Sequence, residues 1–150
     1  MKNPLTTHAF VSSTALAPLA LRLVAGIIFI AHGAQKLFGV FGGYGLEGTG
    51  QWMASIGLEP GYLMALMAGS AEFFGGIFLL LGLLTRANGA VLSITMLVAI
   101  FAVHFENGLF MSNNGYEFAL ALLAISISIA ISGAGRFSLD NVLSKRFNTQ

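Results

Sequence analysis

The sequence contains no cysteine. Disulfide exchange, a thiolate nucleophile and Cys-ligated zinc or iron–sulfur centres are therefore excluded. Charge is the second shortage. Seven basic and six acidic residues are spread over 150 positions, 9% of the chain, where a soluble domain carries about 25%. So few charges cannot cover a surface facing water, which excludes an ordinary soluble enzyme and a disordered tail. A formal net charge of +1 leaves no basic patch for nucleic acid. Motifs of soluble cofactor chemistry are missing as well. There is no dinucleotide fingerprint, and the glycine run from Gly39 to Gly50 lacks the Lys-Ser/Thr ending of a phosphate loop. No paired-histidine haem pattern, internal repeat or low-complexity tract is visible.

What the chain does have is apolar mass. Hydrophobic residues make up 56% of it, and the mean hydropathy is +0.83. This composition indicates a small integral membrane protein. Four apolar stretches are expected to span the bilayer, at about 16–40, 62–84, 87–104 and 117–132, followed by a polar tail at 133–150. A helix needs roughly 20 residues to cross about 30 Å of hydrocarbon, so the last two stretches cross with little tilt or borrow flanking residues. Continuous apolar runs without period-2 alternation argue against a membrane β-barrel. The expected fold is all-α, a single transmembrane four-helix bundle. Arg22, His32 and Lys36 inside the first stretch suit a permanent helix better than a secretory signal.

The basic residues outside the spans set an expected orientation. Lys2, Arg86, Arg136, Lys145 and Arg146 fall on one side, whereas the other side has Glu47, Glu59 and Glu106 and no basic residue. Both termini are therefore expected in the cytoplasm. The connection at Thr85–Asn88 is tight. The first outer loop is long and glycine-rich, with a short interfacial helix expected over Thr49–Ile56 and with Trp52 and Met53 anchored in the interface. The second outer loop, Phe105–Tyr116, carries Asn107-Gly108 and Asn114-Gly115, pairs suited to turns with positive φ.

Ionisable groups within a span cost at least about 2.5–3.5 kcal/mol each at the helix centre, so they are the best guides to function. At about 100° per residue, Arg22, His32 and Lys36 share one face of the first span with Gly26 and Gly33. Glu72 shares a face of the second span with Ala65, Gly69 and Gly76. Small residues mark close helix approach in a bilayer, so Glu72 is expected to point into the bundle. His104 and Glu117 stand at the outer ends of the third and fourth spans. The expectation is a polar seam rising from Arg22 through Glu72 to an outer cluster of Lys36, His104 and Glu117. Structural readings stand beside it. Arg22 and Glu72 would form a pair that locks two helices, Lys36 would snorkel to the outer interface, His104 would be an interfacial histidine, and Glu117 an acidic helix start.

The pattern resembles the DoxX family of small four-helix membrane proteins. The matching residues are Arg22 with Gly26, His32-Gly33 and Lys36-Leu37-Phe38, then Glu72 with Gly75-Gly76 and the stretch Leu81-Gly82-Leu83-Leu84-Thr85-Arg86. They continue with His104, Gly108, Gly115-Tyr116-Glu117 and Gly133, and end on Gly135-Arg136-Phe137-Ser138-Leu139-Asp140. The resemblance covers about residues 16–143. It implies a bacterial cytoplasmic-membrane protein associated with quinone-linked oxidoreductases or oxidative-stress complexes.

Three functions follow as expectations. As a quinone-interacting redox subunit, the protein would use Glu72 and His32 as a proton relay and Arg22, Lys36, His104 and Glu117 as quinone-binding groups. Phe29, Phe38 and Phe73 would form a ring slot. The cofactor would be a membrane quinone, and the partners lipids, other redox subunits or further copies of the chain. As a scaffold, the protein would bind other subunits through small-residue faces at Gly69 and Gly76. As a transporter, it would pass a small solute along the polar seam. A metal site from His32, His104 and Glu117 has no local ligand spacing, so no metal is expected.

Overall fold

The computed structural model describes residues 16–148, and every regular element among them is helical. Helix α1 spans Ala17–Phe38, α2 Gly45–Ser55, α3 Gly61–Leu81, α4 Thr85–Ala99, α5 Glu117–Ser132 and α6 Leu139–Asn148. Helix α4 runs on through a π-helical turn, Ile100–His104, and a 3-10 turn, Phe105–Asn107. The combined helix is Thr85–Asn107. Three helices, α1, α3 and extended α4, are long and apolar enough to cross a membrane, and α5 is a shorter apolar helix. Its 16 residues reach about 24 Å.

The ends of these helices follow from local chemistry. Gly39 and Gly82 take left-handed backbone at φ 71° and 64° and stop α1 and α3. The second span thus ends at Leu81 rather than about residue 84, and the third begins at Thr85 rather than 87. Half of the first connection is helical, because α2 covers Gly45–Ser55 within it. Trp52 is outward there, but Met53 is buried against the bundle and does not anchor in the interface.

Two helix pairs make the bundle, and glycine sets the spacing in each. A Cβ placed on Gly33 of α1 would lie 2.7 Å from Phe73 Cα and 2.8 Å from Gly69 O of α3. A Cβ on Gly89 of α4 would lie 2.8 Å from both Ser126 O and Ala130 N of α5. Backbones this close exchange dense dispersion contacts, the main attraction between helices in lipid. Between the pairs lies an apolar core that includes Ala25, Phe29, Leu79, Leu92, Met96, Leu122 and Ile129. Ile27, Phe74, Ile94 and Ile131 face outward, where a soluble protein would place polar groups.

The bundle has two unlike ends. The closed end carries the tight turn at 82–84, the start of α1 and the tail with α6. The open end carries both long connections, 39–60 and 105–116.

Candidate functional site

At the open end, α1, α3, α4, α5 and the 105–116 connection enclose a cavity of about 240 Å3. Its polar lining comes from His32, Lys36, Glu72, His104 and Asn114, and its apolar lining includes Phe29, Met96 and Phe118. Lys36 Nζ donates to Glu72 Oε2 at 2.6 Å. Glu72 is only 4% exposed and the Lys36 side chain 24%, so the carboxylate is buried and the ammonium half of the pair is partly accessible. Helix geometry explains it. Side chains lean toward the N-terminus of their own helix. Helices α1 and α3 are antiparallel, so Lys36 dips into the bundle while Glu72 leans up to meet it. Lys36 therefore does not snorkel outward.

His32 sits one turn deeper on α1, with its ring 5.7 Å from that of Phe118. His104 closes the π-helical turn. Such a turn inserts an extra residue, which swings the following side chains by about 100°. His104 Nδ1 lies 2.8 Å from Asn114 O across the connection. Asn107 Nδ2 donates to the same carbonyl at 3.3 Å. Glu117 is turned the other way. Its Oε1 accepts from Met111 N at 2.6 Å, and its own N–H donates to Leu109 O at 2.9 Å. His104 and Glu117 thus fasten the two ends of the connection that roofs the cavity. No group of three metal-ligating side chains forms among the described residues.

Arg22 lies elsewhere. Its guanidinium is fully buried at the closed end. Nη1 donates to Leu79 O at 3.1 Å, and Nη2 donates to Arg136 O and Phe137 O at 3.2 Å each. Arg22 therefore does not pair with Glu72. Leu79 stands two helical turns from Glu72, about 10 Å along α3. Ala25, Phe29 and Leu79, all fully buried, fill the space between. The expected continuous seam is cut by this apolar layer into two separate polar sites.

The closed-end site has a second buried ion, in the stretch that the sequence marks as a polar tail. Asp140 is 4% exposed. Its Oδ1 and Oδ2 accept from Leu84 N and Thr85 N at 2.8 and 2.9 Å. Its own N–H donates to Gly82 O at 2.9 Å. The carboxylate caps α4 from 55 residues away, satisfying N–H groups that a helix start leaves unpaired. Gly82 is required here: a Cβ would collide with the Arg22 guanidinium and lie 2.5 Å from Ser138 Cβ. The tail, the α3–α4 turn and α1 are thereby locked together.

The cavity gathers four of the six expected site residues, namely His32, Lys36, Glu72 and His104. Of the expected ring slot, Phe29 lines it. Phe38 and Phe73 pack on each other edge to face, outside its lining. Phe118 takes their place, one residue beyond Glu117 and on the helix face of Leu122, a signal that was present in the sequence spacing.

The DoxX family profile matches residues 17–105, which include both helices of the ion pair, His32 and His104. The chain belongs to the DoxX family. It is 38% identical over 122 residues to a Bacillus subtilis protein named "Putative oxidoreductase CatD", covering 81% of this chain and 83% of the other. It is 32% identical over 135 residues to the Escherichia coli inner membrane protein YqjF, covering 86% and 93%. No solved structure matches it. Family, relatives and apolar helices together make this DoxX protein a multi-pass protein of the bacterial inner membrane.

Proposed function

We propose that this DoxX-family protein is the quinone-linked membrane subunit of an oxidoreductase, with the open-end cavity as the head-group site. The observation that carries the reading is the Lys36–Glu72 ion pair on the wall of that cavity. Burial costs each ion of such a pair several kcal/mol of solvation, and a pair serving only to hold helices has no use for open volume beside it. This pair instead faces open volume beside two histidines. A cavity of about 150 Å3 holds benzene, so about 240 Å3 admits one substituted ring. His32 and Lys36 supply donors to ring carbonyls, Glu72 and His32 relay protons, and Phe29 and Phe118 give the ring apolar walls. The chain lacks cysteine and haem-pairing histidines, so a partner subunit exchanges the electrons with the quinone. The relative named as an oxidoreductase agrees with this reading.

Four basic residues on the closed-end side, Arg86, Arg136, Lys145 and Arg146, support cytoplasmic termini and with them a cavity in the outer half of the bilayer; Lys2 lies outside the described residues. A reporter fused to the C-terminus is expected to read as cytoplasmic. The scaffold reading loses its surface, because Gly69 and Gly76 are packed on α1. A solute path through one copy meets the apolar layer of Ala25, Phe29 and Leu79.

The test is binding of a short-chain benzoquinone to purified protein in lipid nanodiscs. Saturable binding is expected, weakened at least about tenfold in Glu72→Gln, a loss of about 1.4 kcal/mol. Folded protein that binds no quinone, or a Glu72→Gln variant that binds as well as the parent, defeats the reading.

A further inference from the structure

We infer that the cavity is preset for the reduced, hydroxylated ring, a hydroquinone, over the quinone itself; this rests on the head-group reading above. The argument is one of hydrogen-bond sense. A backbone carbonyl only accepts. His104 Nδ1 lies 2.8 Å from Asn114 O, so Nδ1 holds the proton of the neutral ring. Its Nε2 is then an acceptor. The Asn114 carbonyl is itself held by the Asn107 amide, which keeps this arrangement in register. On the opposite wall, Glu72 gives Oε2 to Lys36. Oε1 is the carboxylate oxygen left for a ligand, and an ionised carboxylate also only accepts.

Two acceptors of fixed sense, from α3 and from the end of α4, therefore line one cavity. A quinone offers only carbonyl lone pairs, which these oppose. A hydroquinone offers two O–H donors, one for each. The donors suited to a quinone are fewer in fixed form. Lys36 has already given one N–H to Glu72, and His32 is held by ring contact with Phe118 and can take either tautomer. His32 and Lys36 thus serve the hydroxyl oxygens as accessory donors, while Glu72 and His104 set the preference. The same two groups stand where protons leave a hydroquinone.

The experiment is anaerobic titration of the full chain in phosphatidylcholine nanodiscs with 2,3-dimethoxy-5-methyl-1,4-benzoquinone and, separately, with its hydroquinone. The hydroquinone is expected to bind at least about tenfold more tightly, a gap of about 1.4 kcal/mol. His104→Phe is expected to erase most of that gap by weakening the hydroquinone alone, and His104→Gln, which keeps an acceptor, to restore part of it. Equal or tighter binding of the quinone by the parent protein overturns the inference and leaves the head-group reading standing. Binding of neither form removes the head-group reading itself. A parent preference that survives unchanged in His104→Phe removes His104 from the account.

Discussion

The closed and open ends of the bundle both bury charge, and they use it differently. Arg22 is the more deeply buried, yet its side-chain hydrogen bonds run to three backbone carbonyls. Lys36 and Glu72 bond each other, side chain to side chain, and face a cavity. Burial of an ion therefore does not mark function in this bundle. What separates the two sites is what the ion faces: Arg22 bonds backbone through both Nη atoms, with Nε buried and unbonded, whereas Lys36 and Glu72 border space that a ligand can fill. A membrane span makes both arrangements costly.

The sharpest way to break this comparison is to remove Arg22. Arg22→Leu takes the donor from three carbonyls at once. Leu79 O keeps the Gly82 N–H, so the two part-buried tail carbonyls lose their donor, and at about 1–3 kcal/mol each the loss should reach about 2–4 kcal/mol. The tail should detach, and the yield of folded protein in mild detergent should collapse. A variant with the parent melting temperature would show that the closed end is not a lock. Next in size is Gly33→Ala. Its Cβ meets Phe73 and Gly69 backbone, and overpacking of this kind costs about 1–3 kcal/mol. Gly33 adjoins His32 and Phe73 adjoins Glu72, so the same wedge should part Lys36 from Glu72. Ligand affinity should fall even in the fraction that remains folded. Asp140→Ala comes third, at about 1–2 kcal/mol for a lost helix cap. Hydrogen exchange should rise at the first turn of α4 and stay unchanged at the cavity.

Legibility in the sequence divides along the same line. The four helices followed from the apolar runs, and the inward Glu72 and the close faces at Gly33 and Gly69 from periodicity and small residues, all of which act within one helix. Placing Arg22 required knowing that a tail more than 110 residues away returns to it, and no local pattern encodes that. Asp140 was invisible as a cap for the same reason, since it caps a helix to which it is not adjacent in sequence. The Lys36–Glu72 pair was legible in principle. It needed only the lean of side chains on antiparallel helices, whereas a lysine near a span end invited the snorkelling picture. His104 and Glu117 were rightly placed at the span ends, but their grip on the connection depends on how that loop folds back.

The smallest expected change in stability is also the most telling. Replacing both members of a buried ion pair with apolar or neutral groups of like size is often nearly neutral, whereas removing one leaves an uncompensated ion at about 3–5 kcal/mol. Lys36→Met alone should therefore destabilise the protein, and adding Glu72→Gln should return its melting temperature close to that of the parent. If the open end is a lock like the closed end, nothing else should change. If it is a binding site, the double variant should be stably folded and bind the ring at least about tenfold more weakly, because the Lys36 donors and the charge of the Glu72 carboxylate go together. Arg22 admits no such separation: its bonds run to backbone carbonyls that no second substitution can remove. A stable double variant that still binds with parent affinity would place the open end in the same class as the closed one.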